Sequence, residues 1–117
     1  MEISIRDLPL HDRPVLLVAL SGQLDHTSSA PLTMALHRRL AGADAPHVIV
    51  DAARLTFCDS SGLSTLVTAY QALQPTGGRL ALAGAHGLFA QLLARTGLTA
   101  IFELYPSMAA AEAALTE

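Results

Sequence analysis

Ile3 and Ile5 alternate with polar neighbours, the period-two pattern of a short strand with one face exposed. The run Val15-Leu-Leu-Val-Ala-Leu20 is apolar throughout, as expected of a strand buried on both faces of an α/β sheet. Pro9-Leu-His-Asp-Arg-Pro14 between them predicts a turn, so these first two strands should run antiparallel. The period then changes. Leu32, Leu36 and Leu40 share one face of a helix that opens behind the capping run Thr27-Ser-Ser-Ala-Pro31 and is stopped by Gly42. His47-Val-Ile-Val-Asp51 is a second buried strand. After Asp59-Ser-Ser-Gly62 comes a helix with the stripe Leu63, Leu66, Val67, Tyr70 and Leu73, ended by Gly77-Gly78. Arg79-Leu-Ala-Leu-Ala83 reads as a strand. Leu88, Phe89, Leu92 and Leu93 mark a helix with Gly97 past its end, and Ile101-Phe-Glu-Leu-Tyr105 is the last strand. Pro106-Ser107 opens an Ala-rich terminal helix. Two strands followed by repeated helix–strand units predict one α/β domain over residues 1–117, with a mixed, mainly parallel sheet and about four helices.

Composition narrows the function. Of 117 residues, 51% are hydrophobic and 15% charged, and mean hydropathy is +0.42, which excludes an intrinsically disordered segment. The longest aliphatic run is far short of the about 20 residues that a spanning helix needs. The start, Met1-Glu-Ile-Ser-Ile-Arg-Asp7, lacks the basic-then-apolar order of a signal peptide, so a cytoplasmic location is expected. Cys58 has no second cysteine to pair with. Net charge is −3, all seven basic residues are Arg, and there are three Phe, two Tyr and no Trp. Nucleic acid and anionic lipid both require a basic face, and single strands also require aromatics to stack on. Neither partner is expected. Ala and Leu, 21 each, together with the absence of Lys, fit a GC-rich bacterial coding sequence.

In α/β sheets, chemistry gathers at the carboxyl ends of strands. Two stretches there are more polar than turning requires: Gly22-Gln-Leu-Asp-His-Thr-Ser-Ser29 and Cys58-Asp-Ser-Ser-Gly-Leu63. Asp25, Ser60 and Ser61 would converge on one patch. The commoner reading of Asp59-Ser60-Ser61-Gly62 is a helix cap. Yet a cap takes one residue where three are offered, and Gly62 lets a bulky group approach the backbone. A serine at a helix amino terminus can also carry a phosphate, favoured by free N–H groups and the helix dipole and opposed by Asp59. The residues leave cap and switch both open.

Catalytic readings are poorer. G-x-S-x-G is absent around Ser60 and Ser61, and His26, His37, His47 and His86 have no diagnostic spacing to a serine or aspartate. No H-x-x-x-H pair supports a metal site, and both Walker-type and G-x-G-x-x-G phosphate loops are missing. Cys58, beside Phe57, reads as a small buried hydrophobe.

Leu55-Thr-Phe-Cys-Asp-Ser-Ser-Gly-Leu63 resembles the signature of STAS domains, specifically the bacterial anti-sigma factor antagonists. Ser21-Gly-Gln-Leu-Asp25, His47-Val-Ile-Val-Asp51, Gly77-Gly-Arg-Leu80 and Arg95-Thr-Gly-Leu98 follow the same layout, so the resemblance covers nearly the whole chain. It implies a STAS fold and a phosphoprotein acting in transcription regulation by partner switching. The unphosphorylated form would bind an anti-sigma factor, a serine kinase that brings its own ATP and Mg, and so release the sigma factor. A serine phosphatase would restore that form. The resemblance places the phosphate on Ser60, with Asp25 and Asp59 as the two acidic positions beside it. Ser61, Gly62 and Leu63 match the neighbouring serine and the helix start. No cofactor of its own is implied. Gln23 replaces a usual Glu and Ser64 a usual Gly; Ser64, a turn along, should be less exposed. Asp25 is expected to face Ser60 and to be dispensable as a cap, because Thr27, Ser28 and Ser29 offer other hydroxyls. The rival readings are a STAS scaffold or regulatory subunit in a stress-signalling or transporter assembly and, more distantly, a small serine hydrolase.

Overall fold

β1 (Glu2–Leu8) and β2 (Val15–Leu24) pair antiparallel, from Glu2 opposite Ser21 to Leu8 opposite Val15, in a computed structural model that describes residues 1–8, 14–41 and 46–115. The chain then continues through α1 (Ser29–Ala41), β3 (His47–Cys58), α2 (Ser60–Leu73), β4 (Leu80–Ala83), α3 (Gly87–Arg95), β5 (Glu103–Tyr105) and α4 (Met108–Leu115). Sheet order is β1-β2-β3-β4-β5, with β2 to β5 parallel. Successive right-handed crossovers that step the same way leave their helices on one face. Accordingly α1, α2 and α3 share one face and α4 takes the other. The mixed sheet and four helices among the described residues match the pattern. Most of the predicted turn before Pro14, and Gly42, lie outside those residues.

Leu16, Val18 and Leu20 of β2, with Val48, Val50 and Leu82, meet Leu32, Leu36, Leu66 and Leu93 of the helices. Residues of the opposite parity, Val15, Leu17, Ile49, Ala81 and Ala83, pack on Ala111 and Leu115 of α4. Covering both faces accounts for the unbroken apolar runs. Each large side chain so buried contributes roughly 1.5–3 kcal/mol. No helix among the described residues is long and apolar enough to cross a membrane.

Three elements depart from the pattern. The predicted strands end at Leu20 and Asp51, yet the observed strands do not. Residues 21–24 continue to pair with residues 54–58 beyond the last partners of β4, and past Ser21, the last to face β1, they form a two-stranded ribbon. Register shifts between Ala19 and Ser21 and between Gly22 and Gln23 interrupt its alternation, and this hides it from a period-two search. At the other edge only Glu103–Tyr105 is strand. Gly97, at φ 76°, ends α3 in the left-handed region and leads into a single 3₁₀ turn, Leu98–Ala100, so the strand starts late. Phe102 is buried and meets Tyr70 edge-on, centroids 5.8 Å apart.

The amino-terminal ends of β3 to β5 carry a polar latch. Arg79 donates through Nε (2.7 Å) and Nη2 to the two oxygens of Glu103, which also accepts the Tyr105 hydroxyl at 2.7 Å. The amide of Arg79 donates to His47 Nδ1 at 2.9 Å, and its Nη1 reaches the Ala114 carbonyl at 3.4 Å. The guanidinium holds the Glu103 carboxyl below its ordinary range.

Candidate functional site

The ribbon delivers both polar turns to the same end of the molecule. Leu24 pairs with Cys58, so Asp25 and Asp59 each follow directly on one member of that pair. The Asp59 amide donates to the Leu24 carbonyl at 3.1 Å, fixing the start of α2 on the end of β2.

Asp59 is the cap. Its backbone is extended (φ −103°, ψ −173°), its Oδ1 accepts from the Gly62 amide at 3.0 Å, and its carbonyl accepts from Leu63. One residue therefore does the capping, and the two serines are not needed for it. Ser60 is exposed, and its hydroxyl has no hydrogen-bond partner among the described residues. The amides of Ser60 and Ser61, in the first turn, have no acceptor within the helix. Ser61 is half-buried, and its carbonyl accepts from Thr65 Oγ1 at 3.2 Å. Thr65 in turn meets Thr33 Oγ1 at 3.4 Å and links α2 to α1. Sequence reasoning missed this Thr pair, which no local pattern marks.

Gly62 and Leu63 are buried. A Cβ on Gly62 would come within 2.7 Å of both the Leu24 side chain and its carbonyl, and within 2.9 Å of Cys58 Sγ. What approaches that backbone is the protein's own β2, where the sequence suggested room for an outside group. Burial, and secondarily the Asp59 charge, push the Cys58 thiol up to about 12, so it is inert at neutral pH. Ser64 is as plainly exposed as Ser60, contrary to expectation, because it lies on the outer face of α2.

Asp25 has a structural duty after all. Its Oδ1 accepts from the Thr27 amide (3.0 Å), the Thr27 hydroxyl (2.7 Å) and the Ser28 amide (3.3 Å). Those bonds, the Thr27 hydroxyl foremost, hold its carboxyl below the ordinary range. The other hydroxyls are not substitutes. Ser28 Oγ accepts the Asp25 amide and donates to the Gln23 carbonyl, and Ser29 Oγ donates to the Asp25 carbonyl. The carboxylate makes no hydrogen bond to the Ser60 turn among the described residues. Of the histidines, His86 Nε2 meets the Ala53 carbonyl at 2.9 Å and His47 is held in the latch.

This site sits in a recognisable frame. The STAS domain profile matches residues 7–111. The chain belongs to the STAS domain family. It is 33% identical over 95 residues to the anti-sigma F factor antagonist of Paenibacillus polymyxa, covering 81% of each chain. It is similar to the crystal structure of an anti-sigma factor antagonist from Mycobacterium paratuberculosis, at TM-score 0.82 and 26% identity, covering 99% of this chain and 96% of that one. It also shares the fold of the SulP transporter STAS domain from Vibrio cholerae, at TM-score 0.66 and 23% identity over 86% and 81% of the two chains. Antagonists and a transporter domain alike use this STAS fold, so the fold does not separate those two roles.

Proposed function

We propose that this STAS domain is an anti-sigma factor antagonist switched by phosphorylation of Ser60. In the unphosphorylated form it binds an anti-sigma factor with serine kinase activity in the bacterial cytoplasm and frees the sigma factor. A serine phosphatase reverses the modification. The kinase brings ATP and Mg, and this chain needs no cofactor. One observation carries the reading: Ser60 is exposed, its hydroxyl unbonded among the described residues, at a helix start whose cap is already supplied by Asp59. A purely structural loop does not require that hydroxyl. A phosphate there would be met by the free amides of the first turn and opposed by Asp59, which changes the charge of the docking surface without repacking the core. Asp25, Asp59 and Ser61 frame that surface, while Gly62 and Leu63 seat it from below.

Incubation with the kinase and Mg-ATP, read by intact mass, tests the assignment. One phosphate should be added to wild type and to Ser61→Ala, and none to Ser60→Ala. Phosphate on Ser61, Ser64 or Thr65 would move the acceptor. Binding by the kinase with no phosphate on any residue would leave the scaffold role. Ser60→Asp should bind the anti-sigma factor much more weakly than Ser60→Ala; equal binding would put the loop outside the interface.

A further inference from the structure

A second polar surface lies on the face of the sheet that carries α4, beyond the end of that helix. Under α4 this face presents Val15, Leu17 and Ile49. Further along, β2 presents only Ala19 and Ser21. In register with them stand Ser4 and Glu2 on β1, and Asp51 and Arg54 on β3. The rows run Ser4–Ala19–Asp51 and Glu2–Ser21–Arg54, small in the middle and longer at the sides. The result is a trench of about 350 Å³ with a β-strand floor. Strands lie about 4.8 Å apart, so opposite charges flank the trench with only Ser21 between them. They are not paired. The side chains of Glu2, Ser4, Ser21 and Arg54 make no ion pair or hydrogen bond among the described residues. Asp51 engages only Oδ1, accepting from the Ala53 amide at 3.1 Å.

We propose that this trench binds a small zwitterion, a molecule carrying both carboxylate and ammonium groups, with a free basic amino acid the best match. The Arg54 guanidinium takes the carboxylate through its paired N–H groups. The ammonium groups are met by Glu2 and Asp51, and Ser4 and Ser21 supply hydroxyls along the floor. Charge selects the class. A simple anion would face two carboxylates, a simple cation would face Arg54, and two carboxylates against one guanidinium favour a zwitterion of net positive charge. Exposed charge pairs are individually weak, so the affinity is on the order of millimolar. The proposal is independent of the role of Ser60. The trench does, however, lie at the register shift where the ribbon begins.

Titration of the isotope-labelled chain with free L-lysine, followed by amide NMR at neutral pH and constant ionic strength, tests it. Saturating shifts are expected at Ser4, Ala19, Ser21, Asp51 and Arg54. Arg54→Gln should weaken the apparent affinity by about tenfold, and Glu2→Gln severalfold, with the rest of the spectrum unchanged. Acetate and n-butylamine, each carrying one of the two charges, should not saturate. Shifts that fail to saturate, that persist unchanged in Arg54→Gln, or that the two half-molecules reproduce would overturn the proposal.

Discussion

Among the described residues, the polar side chains at the two ends of the sheet differ in what they leave unbonded. At the amino-terminal end, Arg79 bonds to Glu103, His47 and nearby backbone, and the Tyr105 hydroxyl reaches back from the far end of β5 to Glu103. At the carboxyl-terminal end, Asp25 and Asp59 satisfy the amides of their own turns, and the hydroxyl of Ser60 is left over. A cluster of polar side chains therefore says little about function by itself. The residual bonding capacity after local structure is satisfied says more, and among these described side chains the Ser60 hydroxyl has it.

That contrast can be broken most sharply at Gly62. If α2 is seated hard against β2, Gly62→Ala overpacks Leu24 and Cys58 and should lower the unfolding free energy by about 1–3 kcal/mol in urea titrations. Helix propensity alone would favour Ala by about 1 kcal/mol. A gain in stability would mean that the seat is loose and the turn free to move. Next in size is the cap. Asp59→Ala should lose about 0.5–2 kcal/mol, whereas Ser60→Ala should change stability by no more than about 0.5 kcal/mol. Equal losses would erase the distinction between a working cap and an unemployed hydroxyl.

The smallest effect belongs to the latch. Arg79 lowers the folded-state pKa of Glu103 below its ordinary value of 4.5. The carboxylate therefore stabilises the fold above that ordinary value, and its contribution is lost as pH falls through the lowered one. Wild type should exceed Glu103→Gln above about pH 5, and the two should converge in more acidic solution. The pair is partly exposed, so the margin should be modest. A margin that widens on acidification would contradict the latch.

Element order was legible because it depends on local periodicity, and Asp59-Ser-Ser-Gly62 was legible because capping is local chemistry. The ends of β2 and β3 were not, since bulges break the alternation that a strand search relies on. Nor was the work of Asp25. Nothing in its turn announces that Ser28 and Ser29 bond backward to residues 23 and 25 and so leave the forward amides to the carboxylate. The reason for glycine at position 62 lies in Leu24, and the partner of Arg79 lies at Glu103. Such long-range pairings come into view only once the strands are side by side.

The sheet order β1-β2-β3-β4-β5 also bears on biosynthesis. A chain leaves the ribosome amino terminus first, at about 5–20 residues per second. Each new strand here finds the previous one already waiting as a free edge, and none has to be threaded between two others. The turns bearing Asp25 and Ser60 are complete once α2 has docked. By contrast, the cover over Val15, Leu17 and Ile49 arrives last, with α4. Until α4 has emerged, whatever sheet the nascent chain has formed lacks the cover of its second apolar face. A chain interrupted before Met108 would hold a finished Ser60 turn on a sheet with that face still uncovered.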